Sequence, residues 1–157
     1  MAVTSHVFPS VDTALLGKLA KFTATSDTLQ VLLVASTSPA YTWNGTSQGH
    51  ATVTNFLAGS GAGALTEVSG GGYSRQTLTS VTATTTGLVT TLTCANPSWA
   101  ASTISATYAL FFDNTIGGTD STNQIICYWD FGGTQATTSA TFTLTISGSG
   151  LVTWTAS

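Results

Sequence analysis

The chain has 157 residues, of which 42% are hydrophobic and only 6% charged, with a formal net charge of −3 at pH 7; ordinary globular domains carry about 25% charged residues. This length fits one domain, and the apolar share excludes a disordered chain. Lys18, Lys21 and Arg75 are the only basic residues, too few for a surface that tracks phosphates, so nucleic acid is excluded as a partner.

Threonine makes up about a fifth of the chain. Its β-branched side chain suits a pleated surface, and its hydroxyl keeps an exposed face wet without charge, so the composition predicts an all-β protein. A surface with so little charge has little electrostatic protection against association, which points to a component covered by neighbouring subunits. The start of the chain has neither a basic segment nor an apolar core segment, and no run approaches the ~20 apolar residues of a membrane span. A chain made and kept in a cytoplasm, with no membrane partner, is the expectation.

Residues 1 to 9 are predicted to form an N-terminal arm or first edge strand ended by Pro9, with 10 to 157 as a single domain. Ser10 stands as an N-cap, and Val11, Leu15, Leu19 and Phe22 trace one stripe at helical spacing, which predicts a short amphipathic helix from about 11 to 22. Thr28 to Ala35 is a short apolar run that reads as a buried strand. Residues 36 to 64 are broken by Pro39 and several glycines; within them Val53 to Leu57 reads as either a short strand or a helical turn. Gly70-Gly71-Gly72 reads as a flexible joint. Gln76 to Ala83 and Leu88 to Cys94 then form a predicted hairpin, with Leu88, Leu92 and Cys94 on one face.

The run from Pro97 to Asn114 is predicted to be the central strand, because Ile104, Ala106, Tyr108, Leu110 and Phe112 recur at every second position. Leu110, Phe111 and Phe112 are apolar on both faces, so its far end should be buried on both sides. Gln124 to Phe131 is its expected antiparallel neighbour, ended by Gly132-Gly133. Ala140-Phe142-Leu144-Ile146 alternates with Thr141, Thr143 and Thr145, and Leu151 to Thr155 closes the chain with Trp154 inward. Seven or eight strands with short turns predict an antiparallel β-sandwich or jelly roll carrying one short N-terminal helix.

Chemistry is harder to place. His6 and His50 are the only imidazoles, and neither lies in a nucleophile-base pattern, so no catalytic residue is assigned and an enzyme is not expected. His6, His50, Cys94 and Cys127 lack the paired spacing of a zinc site, and Asp113, Asn114 and Asp120 read as turn formers rather than calcium ligands; no metal and no cofactor is expected. Cys94 and Cys127, both in predicted strands, read as buried free thiols. Thr141, Thr143 and Thr145 read as the solvent face of an edge strand. Tyr41 and Trp43 read as core filling, as protein-interface anchors or as rings that stack on sugars, while Trp99 and Trp129 read as core.

Pro97-Ser98-Trp99-Ala100-Ala101-Ser102-Thr103-Ile104-Ser105-Ala106-Thr107-Tyr108-Ala109, the Phe-Phe-Asp that follows, Ile126-Cys127-Tyr128-Trp129-Asp130-Phe131-Gly132 and the closing Thr-Phe-Thr-Leu-Thr-Ile strand together resemble a family of small tailed-bacteriophage virion proteins of minor capsid or head decoration type. The resemblance spans about residues 88 to 157. Thr107 stands where a basic residue often occurs in that family. The resemblance implies a non-enzymatic virion component, most simply a capsid decoration or cement protein assembled in the bacterial cytoplasm. Its implied partners are the major capsid protein or other virion proteins, with a homo-oligomer, a trimer first, as its own state. Val7, Phe8, Leu15, Tyr41, Trp43 and Phe56 are the candidate partner contacts. The alternative is a carbohydrate- or receptor-binding module of a tail or head fibre, using Tyr41, Trp43 and the loop 113 to 122.

Overall fold

The computed structural model describes residues 4–6, 27–35, 52–59, 64–115 and 118–155. The predicted helix at 11 to 22 lies outside them, as do Val7, Phe8, Leu15, Tyr41, Trp43 and His50.

The protein is mainly β and antiparallel, as its composition predicts. The strands are β1 (Thr4–His6), β2 (Leu29–Ala35), β3 (Thr66–Glu67), β4 (Gln76–Thr77), β5 (Thr82–Thr86), β6 (Val89–Thr93), β7 (Ser98–Ser102), β8 (Ser105–Asp113), β9 (Gln124–Ala136), β10 (Ala140–Thr143) and β11 (Val152–Thr155), with one short helix, α1 (Val53–Leu57). They are more numerous than the expected seven or eight. The main sheet runs β1-β9-β8-β2-β3, with β4 also on β2; β10-β7 and β11-β6-β5 form two smaller sheets.

One face of the main sheet packs on both small sheets, which makes the sandwich. Leu29, Val31 and Leu33 of β2, Phe111 of β8 and Trp129 of β9 meet Leu92, Trp99, Phe142 and Val152 from across the layer. The other face buries Leu32, Val34, Tyr108, Leu110 and Phe112 with Val53 and Phe56 of α1. The main sheet is therefore covered on both sides, and the near-continuous apolar runs of β2 and β8 are what such a position requires. Leu110, Phe111 and Phe112 are fully buried, as expected for the far end of the central strand.

Several boundaries differ from the sequence reading. The run from Pro97 to Asn114 is two strands in different sheets, because Ala101 adopts a positive φ of 48° and Thr103 donates its amide to Gly71 rather than to a strand neighbour. Gly132-Gly133 does not end β9 but lies inside it. Tyr108 pairs with Asp130 and Ala106 with Gln135, so two steps along β8 match five along β9, and the excess is taken up around Gly132 (φ 69°) and Gly133 (φ 150°), conformations that L side chains rarely adopt. This bulge also splits the alternation of β8. Ile104 and Ala106 face the inter-sheet core, whereas Tyr108, Leu110 and Phe112 face α1, not all one side as the period implied.

The stretch Gln76 to Ala83 is likewise divided at Ser80 (φ 54°), β4 joining β2 and β5 joining β6. Leu88, expected on one face with Leu92 and Cys94, sits instead in the two-residue turn between β5 and β6 and is 66% exposed, whereas Leu92 and Cys94 are buried. Within the glycine run, Gly71 is held against Thr103: it has φ +58°, its carbonyl accepts the Thr103 amide, and a Cβ there would collide with the Thr103 carbonyl oxygen. Thr141 and Thr143 do form the exposed side of an edge strand, with Phe142 and Leu144 buried between them.

Candidate interaction surface

Three features carry side chains that chemistry or recognition can use. The first is centred on Arg75, the one cation among the described residues. Its Nε and Nη2 donate to Glu67 Oε1 and Oε2 at 2.9 and 2.6 Å, and Nη1 and Nη2 donate to Asp120 Oδ1 and Oδ2 at 2.6 and 2.8 Å. Both carboxylates are thus held two-pronged by one planar guanidinium, a geometry that lysine cannot supply. The guanidinium also lies 5.5 Å from the centre of the Phe112 ring. Tyr73 completes the network: its hydroxyl donates to Glu67 Oε1 at 2.8 Å and accepts the Leu33 amide at 3.0 Å.

Hydrogen bonds donated by Arg75 hold the Asp120 carboxyl below its usual range, and its bonds to Asp120 first and to Glu67 second keep the guanidinium firmly charged. Burial pushes the Tyr73 hydroxyl well above its ordinary value, so it stays protonated. The cluster is a clamp. It ties the β3–β4 segment to the 118–123 loop, whose carbonyls at Asp120 and Asn123 in turn accept the first amides of α1. Asp120 is therefore committed to Arg75, and Asp113 accepts the Thr115 amide at 2.7 Å in a turn. No group of three or more potential metal ligands occurs among the described residues.

The second feature is the β11-β6-β5 sheet. The register sets Thr82 opposite Thr93, Thr84 opposite Thr91 and Thr91 opposite Thr153, so one face presents rows of threonine. All of β5 is exposed, and among the described residues β5 pairs with β6 alone. The strand has no charge, proline or bulge, the devices by which edge strands normally avoid pairing with other chains. At its tip stand Leu88 and Val89, the large hydrophobics most exposed among the described residues.

The third is an open groove of about 480 Å³ between β9 and β10, floored by Trp129, Phe131, Phe142 and Leu144 and rimmed by threonine hydroxyls. An aromatic row leads from the clamp to it: Tyr73 stacks on Trp99 at 6.1 Å, Trp99 meets Phe142 edge-on at 5.9 Å, and Phe142 lies 6.4 Å from Phe131. The indole N–H of Trp99 donates to the Ser74 carbonyl, whereas that of Trp129 is buried with no hydrogen-bond partner.

Of the residues expected to contact partners, Phe56 is corrected by the fold. It is fully buried, with its ring 5.4 Å from that of Tyr128, and serves to seat α1 on the main sheet. Val7, Phe8, Leu15, Tyr41 and Trp43 lie outside the described residues. Cys94 and Cys127 are buried thiols not joined in a disulfide, and burial pushes the Cys94 thiol up to about 11. Leu88 and the groove are the features that the sequence reading passes over. A two-residue Gly-Leu turn between threonine strands is the signal that marks Leu88, because a leucine in so tight a turn has no core to reach.

These features define a class, an antiparallel β-sandwich with neutral, hydroxyl-clad surfaces. A scan against protein-family models, a search of curated proteins and a search of solved structures each found no match.

Proposed function

We propose that the protein is a non-enzymatic structural component of a tailed-phage virion, and specifically a decoration or cement protein that binds the assembled head as a homo-oligomer, a trimer first. The observation that carries the reading is the threonine-covered, charge-free sheet with Leu88 at its exposed tip, a surface suited to being covered by protein. The resemblance of residues 88 to 157 to phage virion proteins supports it. So does the way several of the described ionisable side chains are engaged within the fold: Arg75, Glu67, Asp120 and Tyr73 in one network, Asp113 in a turn and Asp130 on the Gly132 amide.

The mechanism is added contact area. A standard interface of about 1,600 Å², repeated at every junction between shell subunits, opposes internal pressure without any chemical step. The test is quantitative mass spectrometry of purified virions with native mass spectrometry of the free protein. A copy number comparable with that of the shell protein is expected. A chain missing from virions, or present in only a few copies per particle, overturns the reading.

A further inference from the structure

Asp120 faces two ways. Its carboxylate accepts hydrogen bonds from Arg75 at 2.6 and 2.8 Å, and its main-chain carbonyl accepts the Thr54 amide at 3.0 Å. The Asn123 carbonyl of the same loop accepts the Val53 amide at 3.1 Å. The first amides of a helix have no partner inside it, so the entry to α1 is completed by the 118–123 loop, and that loop is fixed to the rest of the fold through Asp120. At its other end α1 gives the Leu57 carbonyl to the Leu65 amide at 2.7 Å.

On its other side Arg75 is joined to the main sheet. Glu67 of β3 accepts from its Nε and Nη2, and the Tyr73 hydroxyl both donates to Glu67 and accepts the Leu33 amide of β2. Tyr73 packs on the inter-sheet core, where it stacks on Trp99, whereas α1 packs on the opposite face of the main sheet. A continuous series of hydrogen bonds therefore runs from the Leu33 amide through Tyr73, Glu67, Arg75 and Asp120 to Thr54. Its two ends differ in strength. α1 has five residues, too few to persist alone, and buries Val53 and Phe56; β8 buries seven of its nine residues. An element with so little buried side chain belongs to the low end of a protein's local stabilities.

We propose that the Arg75–Asp120 contact is a latch: when it breaks, α1 and the 118–123 loop open together as one unit while the main sheet stays folded. The loop moves as a body, because the Thr122 and Asn123 amides both donate to the Thr119 carbonyl within it. Once Asp120 leaves the guanidinium, the carbonyls that complete the entry to α1 move with it, so Thr54 and Val53 lose their acceptors and Phe56 comes off Tyr128. Arg75 stays behind on Glu67, which the Tyr73 hydroxyl keeps in place for reclosing. The latch does not depend on the virion reading.

The test is native-state amide hydrogen exchange on the full chain at low urea concentrations. The amides of Val53, Thr54, Phe56, Ala58, Thr122 and Asn123 are expected to share one opening constant, about tenfold or more above that of the β8–β9 ladder, and to depend less on urea, because a smaller surface is exposed. Arg75→Gln, and the milder Asp120→Asn, which keeps the shape and gives up the charge, should each raise that shared constant about fivefold or more. Val152→Ala, in the core beneath β11 and away from the latch, should speed exchange of the β8–β9 ladder and leave the shared constant unchanged, because β11 stays folded in the open state. That difference separates a latch from a general loss of stability. The proposal is overturned if the six amides exchange with the constant and urea dependence of the main sheet, or if the helix and loop amides open separately. It is also overturned if neither Arg75→Gln nor Asp120→Asn moves the constant of α1, or if Val152→Ala moves it as much as they do.

Discussion

Arg75 is the residue on which most of the polar structure converges. Lysine in its place keeps the charge but loses the fork that grips two carboxylates, and Arg75→Lys is expected to lower unfolding free energy by about 1–2 kcal/mol in urea denaturation; Arg75→Ala should cost more. The clamp also sets an acid limit. Because the Asp120 carboxyl is held below its usual value, its contribution is complete above the unfolded value of about 3.9 and is lost as pH falls through the lower folded one. Stability measured from pH 7 downward should therefore drop below about pH 4, and Asp120→Asn should flatten that drop. Gly71 is a second sensitive position: Gly71→Ala combines an unfavourable φ with a collision against the Thr103 carbonyl, and a loss of about 1–3 kcal/mol is expected by the same measurement. The raised Cys94 thiol predicts that thiol reagents at pH 8 leave it unmodified until the protein is unfolded.

The elements differ in how far their sequence reveals them. β2 is legible because Val31 to Val34 is apolar at both parities, which a strand covered on two sides requires. Thr141-Phe142-Thr143-Leu144 is legible because one side is wet and the other dry. The bulge in β9 is not: Gly132-Gly133 has the same local chemistry whether the strand stops or bends and continues, and only the partner strand β8 decides between them. The break between β7 and β8 is hidden for the same reason, since it depends on a hydrogen bond from Thr103 to Gly71, distant in sequence. Phe56 looks like an exposed loop aromatic until α1 is seen to lie on Tyr128. In β8, Phe111 and Phe112 face opposite layers and both are fully buried, so Phe111→Ala and Phe112→Ala should each cost about 3–5 kcal/mol, with the denaturant midpoint as readout. The β5–β6 hairpin behaves differently. Leu88→Ser should change stability by less than about 0.5 kcal/mol, because the side chain touches little of its own fold, and on the decoration reading proposed above it should lower occupancy on purified particles.

At the scale of the molecule, the main sheet is held from both sides, by two small sheets on one face and by α1 on the other. The candidate interaction surfaces lie instead on the periphery: the exposed strand β5, the tip at Leu88 and the groove beside β10. On the decoration reading proposed above, a rigid centre suits a building block, because its shape is set before its neighbours arrive. The fold class follows from composition and alternation, whereas the location of the margins depends on which strand edges are left over, and that is a property of the assembled sheets.

Rows of threonine in place of lysine and glutamate have a consequence for the medium in which such a protein works. Charged seams weaken as dissolved ions screen them, over about 8 Å at physiological strength and 3 Å in molar salt. A seam made of hydroxyls, methyl groups and leucine has almost nothing to screen, so on the decoration reading proposed above attachment measured by sedimentation should be the same in dilute buffer and in brine, and particles joined this way would travel between fresh and salt water without shedding their coat.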